Sequence, residues 1–188
     1  MCSVQRLGTR ALGMQLLLLL LSACTPTLDW RETPAPGAGL TLFFPCKPQS
    51  QVRAVEVAGQ PWSATLLACD AGGMTFAALA LSPPSSDEKP AGEGSSKLAN
   101  LLPDLAQSAA SRWGPLDGEQ AAPRGVQPPP GVQVQWTRHK RPAQGSTATT
   151  THALFIATSK GMAQLSVHGE RLSEAALENF LGQWKVAP

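Results

Sequence analysis

Four cysteines, three histidines and one dense basic run carry most of the chemistry that this 188-residue chain has to offer. Tyrosine is absent and charged residues make up only 15%, a sparse inventory for acid–base work. Cys46 and Cys69 are the pair available for a disulfide, because Cys2 and Cys24 belong to the N-terminal segment treated below. A Cys46–Cys69 bond would close a loop worth about 3 kcal/mol on the chain-entropy estimate. The alternative is a pair of buried free thiols behaving as small hydrophobes. No Cys-x-x-Cys is present to depress a thiol pKa, which argues against redox chemistry.

His139, His152 and His168 would have to converge to hold a metal ion. The strands assigned below place His152 and His168 on opposite sheet faces, so no metal or cofactor site is expected. His168-Gly169-Glu170 has the His-x-Glu of zinc deaminases, yet the Pro-Cys-x-x-Cys that must accompany it is missing. Ser86-Asp87-Glu88-Lys89 has the Ser-x-x-Lys spacing of penicillin-recognising enzymes but lies among prolines and glycines. Neither Ser-Asp-Asn nor Lys-Thr-Gly occurs elsewhere, so the spacing is attributed to chance and no catalytic set is assigned.

Arg138-His139-Lys140-Arg141 is the candidate binding cluster. At a membrane surface each such charge is worth about 1 kcal/mol toward anionic lipid, and an acidic envelope protein is the other suitable partner. Gln133, Gln135 and Thr137 extend the cluster into a polar strip. The competing reading is a solvated hairpin end.

Residues 1 to 24 set the address. Arg6 and Arg10 precede an apolar run from Ala11 to Leu21, and Leu21-Ser22-Ala23-Cys24 follows. The apolar core is shorter than the roughly 20 residues of a bilayer span, and Thr25-Pro26-Thr27 ends it. This segment resembles the signal of bacterial lipoproteins, matching their lipobox at every position. The resemblance implies cleavage before Cys24, a diacylglyceryl thioether on its thiol and an added N-acyl chain. More than one chain makes anchoring stable at about 0.8 kcal/mol per buried methylene. Thr25 is not the aspartate that retains such proteins at the inner membrane. In a Gram-negative cell the resemblance therefore implies the periplasmic face of the outer membrane.

The chain has 15 basic and 13 acidic residues; with Arg6 and Arg10 gone, the charges balance. A neutral chain lacks the field that draws nucleic acid. Three segments are expected: a signal peptide over 1–23, a lipidated cysteine and Pro/Gly-rich tether over 24–39, and one globular domain over 40–188. Leu28 and Trp30 lie in the tether, and Trp30 is the one tryptophan placed outside the core.

In the domain, Leu40 to Phe44 reads as a strand stopped by Pro45. Arg53 to Ala58, Pro61 to Cys69 and Met74 to Leu81 form a meander with turns at Gly59-Gln60 and Asp70 to Gly73. Residues 82 to 96 are a polar loop. A helix is expected between Ser96 and Trp113 on the stripe Leu98, Leu101, Leu102, Leu105 and Ala109, either kinked at Pro103 or starting there. Val132 to Arg138, Thr149 to Thr158 and Met162 to His168 are strands, the last two a hairpin turning at Lys160-Gly161 with Ile156 opposite Leu165. Ser173 caps a final helix whose face is Leu177, Phe180, Leu181 and Trp184, with Leu172 and Leu177 as a hydrophobic staple. The pattern is α+β, an antiparallel sheet of about six strands with two packed helices.

The entry Gly39-Leu40-Thr41-Leu42-Phe43-Phe44-Pro45-Cys46-Lys47-Pro48 and the close Asn179-Phe180-Leu181-Gly182-Gln183-Trp184-Lys185-Val186 resemble the two ends of small PsbP-like bacterial proteins. That resemblance implies a PsbP-like layout and a non-enzymatic role in assembling membrane complexes. Three functions are weighed: a lipid-anchored envelope protein with a binding or accessory domain, an envelope hydrolase with a site assembled from distant strands, and a purely structural lipoprotein. The first is preferred, because the anchor is present and a catalytic set is not.

Overall fold

The computed structural model describes residues 27–57, 59–84, 98–117, 128–141 and 148–187. The fold is α+β. Among the described residues, β3 (Gln49–Val57), β4 (Gln60–Ala71), β5 (Met74–Ser82), β6 (Gln133–Arg141), β7 (Thr149–Ala157) and β8 (Met162–Gly169) form one antiparallel sheet. Their spatial order is β3-β4-β5-β8-β7-β6. A small second sheet, in the order β1-β2-β9, joins β1 (Arg31–Ala35), β2 (Leu40–Phe44) and β9 (Lys185–Val186). Helix α1 (Leu102–Trp113) lies over β6 and β7 on one face of the large sheet. Helix α2 (Glu174–Gly182) and the small sheet cover the other.

The face under α2 is built on three phenylalanines. Phe180 packs edge-on against Phe44 at 5.0 Å and Phe76 at 5.3 Å, and all three are fully buried. Ser173 caps α2 as expected, its Oγ accepting from the Ala176 N–H at 3.4 Å. Of the proposed helix face, Phe180 and Leu181 are buried and Leu177 and Trp184 half-buried, with Ala176 completing the stripe. Alternation along β7 and β8 places Leu154, Ile156, Leu165 and Val167 on this same face. Ala153, Phe155, Ala157 and Met162 face α1 instead, meeting Leu98, Leu102, Ala106 and Ala109. Pro103 stands in the first turn of α1, where its missing N–H costs nothing, so the helix starts there and does not kink.

The tether expected to run to Gly39 is folded from Asp29 onward. The Asp29 N–H donates to the Pro45 carbonyl, and β1 pairs with β2 along its whole length, from Arg31 opposite Phe44 to Ala35 opposite Leu40. Pro34 hides this strand from a sequence reading, but β1 is the edge of the small sheet, where a proline withdraws no needed hydrogen bond. Trp30 is likewise part of the packing, stacked on Phe43 at 5.3 Å and edge-on to Phe76 at 6.3 Å.

The β7–β8 turn also differs from expectation. The loop is the four residues 158–161, so Leu154 stands opposite Leu165 and Ile156 opposite Ala163. Thr158 is the cause. Its buried hydroxyl donates to the Ala38 carbonyl at 2.7 Å and accepts from the backbone N–H groups of Lys160 and Gly161. This tie draws Thr158 out of the ladder. The register moves by two residues, not one, so every side chain keeps its face. Gly161 is required here, since a Cβ would run into the carbonyl oxygens of Gly37 and Leu81. At the β4–β5 turn, Gly72 and Gly73 have φ of 59° and 74°, the positive pair that a two-residue type I′ turn demands. β3 and β4 pair as far as Val57 opposite Gln60, so Gln60, expected in the turn, belongs to β4.

Candidate binding surface

The basic run does not act as one patch. Strand alternation sends Arg138 and Lys140 to one face of β6 and His139 and Arg141 to the other. His139 is fully buried, its Nδ1 donating to the Gly114 carbonyl at 2.9 Å. Arg138 is engaged by Asp117, its Nε donating to the backbone carbonyl at 3.0 Å with the carboxylate 3.4 Å away. Lys140 and Arg141 are exposed. The segment after α1 causes this. The Asp117 N–H donates to the Arg138 carbonyl and the Lys140 N–H to the Pro115 carbonyl, so residues 115–117 lie along the outer edge of β6 over 138–140. Gln133 and Gln135 stay on the surface, whereas Thr137 is buried beneath α1.

Two of the three histidines share a row. His139, Thr151 and His168 are direct neighbours across β6, β7 and β8, and Trp113 of α1 meets both rings edge-on at 5.5 and 5.3 Å. The His168 Nδ1 lies 2.8 Å from the Thr151 hydroxyl and its Nε2 3.1 Å from that of Ser166. His152 points to the opposite face, as the alternation requires. Burial holds the His168 pKa below its usual value, and the Arg141 charge adds to this. His152 is lowered by burial first and by Arg138 second, with Asp117 partly offsetting them. Ser166 is 2% exposed, so the hydroxyl beside His168 is shut off from solvent. The row meets α1 through the Trp113 ring, which both imidazoles approach edge-on.

The opposite end of the sheet is different. β3 is exposed on both faces over Gln49 to Ala54, with Val52 at 67%. Its nine residues pair with β4 in unbroken register. Val57 and Gln60 flank a two-residue turn and therefore exchange both backbone hydrogen bonds. The odd-numbered residues of β3 thus turn their backbone groups toward β4. Ser50, Val52, Ala54 and Glu56 turn theirs outward, where none of the described residues pairs with them. Cys46 and Cys69 form a disulfide that clamps the start of this strand to β4.

Two grooves on the surface of the described residues are lined without a histidine. One, of about 400 Å³, runs beside β3, with Leu66 and Ala68 as floor and Lys47, Gln49, Gln51, Asp70 and Thr75 around it. The other, of about 360 Å³, lies between β2 and β9 beside Trp184 and the Glu32–Lys185 ion pair. Cys24 and the Ser86–Lys89 segment lie outside the described residues. No helix among the described residues is long and apolar enough to cross a membrane. The sequence reading missed the β3 surface, although Arg53 and Glu56 signalled it: charges on both parities of one strand mean that both faces meet water. No protein-family model, curated protein or solved structure matches this chain.

Proposed function

We propose that this chain is a lipid-anchored protein of the bacterial cell envelope, held through Cys24 at the periplasmic face of the outer membrane, and that its folded domain is a non-catalytic binding module. The lipobox residues Leu21 to Cys24 support the anchor. The open edge of β3 carries the rest. A long, flat, exposed strand edge is an aggregation hazard that proteins blunt with proline, bulges or a covering segment. β3 has an unbroken nine-pair register and no proline, while the other edge of the same sheet is covered over 138–140 by residues 115–117. An edge that none of the described residues pairs with, in a chain that covers part of its other edge, supports a binding role for β3. The hydrolase alternative gains nothing from the histidine row, where Ser166 is buried.

The test is a photo-crosslinking residue placed at Val52 in the intact cell, with one at Lys140 as the comparison. A binding module gives a discrete adduct from Val52 that is lost or changed when Cys24→Ala releases the protein from the membrane. Fatty-acid labelling of the same pair checks the anchor separately. Equal label on both proteins overturns the localisation, and no adduct from Val52 overturns the binding module.

A further inference from the structure

Backbone chemistry and two charges on β3 define what its edge can take. The outward N–H and C=O groups of Ser50, Val52, Ala54 and Glu56 form a row whose natural complement is another extended backbone. We propose that β3 accepts an extended segment of a second, different protein as an added antiparallel strand, with an acidic residue opposite Arg53 and a basic residue opposite Glu56. This deepens the binding-module reading and rests on it.

In the register of fullest overlap, charge favours a different protein over a second copy of this chain. Two β3 strands paired antiparallel in one continuous sheet are related by a two-fold axis perpendicular to it. That symmetry matches odd residues with odd and even with even. Arg53 and Glu56 differ in parity and lie on opposite faces, so they never stand opposite each other in a self-pair. The register that pairs all nine residues is centred on Arg53 and sets one guanidinium against its copy. Like charges directly opposite destabilise a ladder, and opposite charges support it. A foreign strand satisfies both faces at once. Running antiparallel, it presents the basic residue first and the acidic residue three positions later, with small or β-branched residues between them against Ala54 and Val55.

Side chains on β3 leave room for such a strand. Val52 and Ala54 are exposed, and the Arg53 guanidinium reaches only along its own strand, donating to the Gln51 Oε1 at 3.1 Å. The Cys46–Cys69 bond fixes the strand to its neighbour, so an incoming peptide meets a preorganised edge.

The experiment measures binding of two capped nine-residue valine/threonine peptides to the purified full-length protein by fluorescence anisotropy. One carries lysine followed three residues later by glutamate; the other has the two exchanged. The first is expected to bind about tenfold tighter, since each of two cross-strand pairs changes from opposite to like charge. Arg53→Glu with Glu56→Arg reverses the preference. Val52→Pro removes one outward N–H and no bond to β4, so it abolishes binding of both peptides while the thermal transition is kept; a Val52→Pro protein that does not fold leaves the charge exchange to decide. Failure of either peptide to saturate, equal affinities, or a preference that the exchange does not reverse overturns strand addition. A Val52 adduct in cells combined with any of these results leaves the binding module standing without it.

Discussion

The two edges of the six-stranded sheet receive opposite treatment from one chain. At β6, residues 115–117 fold back along the strand, His139 is locked under Gly114, and Arg138 is spent on Asp117. At β3, the strand is exposed on both faces, its ladder is unbroken, and a disulfide stiffens its base. Where the sequence is most basic, Arg138 is paired internally and His139 is buried while Lys140 and Arg141 stay exposed; where it looks ordinary, none of the described residues pairs with the outward backbone of β3. Charge density along the sequence therefore says little about which side chains a strand leaves exposed, and backbone pairing has to be read from the sheet.

The contrast can be broken first from the shared centre. Phe180→Ala removes the ring that both Phe44 and Phe76 pack against, and a loss of about 3–5 kcal/mol is expected in urea unfolding. Both edges should suffer equally. Replacing Cys46 and Cys69 by alanine costs about 3 kcal/mol on the loop-entropy estimate. Hydrogen exchange should show that loss concentrated in β3 and β4, with β6 protected as before. His139→Leu strands the Gly114 carbonyl and costs about 1–3 kcal/mol; here exchange should quicken at the end of α1 and leave β3 unchanged.

Acid sharpens the same difference. The folded-state pKa of His168 lies below its unfolded value, so the unfolded chain binds more protons in the window beneath the ordinary histidine pKa. Stability is full above about pH 6.5 and falls as pH drops through that window. His152 acts in the same direction. His168→Gln should flatten the fall in melting temperature between pH 8 and pH 5.5. A slope unchanged by the substitution would remove the histidine row as its source. The smallest effect belongs to the open edge: Val52→Thr, on a strand with no covering layer, should shift stability by no more than about 0.5 kcal/mol.

Much of this fold was legible, and what was not has identifiable causes. The hairpins, both helices, the disulfide pair and the opposed faces of His152 and His168 followed from periodicity, capping and cysteine count. β1 was hidden because Pro34 and the small residues around it read as linker, and only pairing with Leu40 to Phe44 makes them a strand. The β7–β8 register was missed because one threonine hydroxyl binds a carbonyl far away in sequence, at Ala38. The basic cluster misled for a related reason. Sequence shows four adjacent side chains, whereas a strand divides them between two faces, and the segment that engages Arg138 and His139 arrives from another part of the chain.

Under the proposed anchor and strand addition, the Cys46–Cys69 bond would also have a mechanical meaning. Load applied at Val57 would peel β3 from β4 one rung at a time toward Gln49. The peeling stops at a covalent link. A partner on β3 would draw out no more than the hairpin between the two half-cystines, because tension beyond them would pass into the rest of β4 and the centre of the sheet.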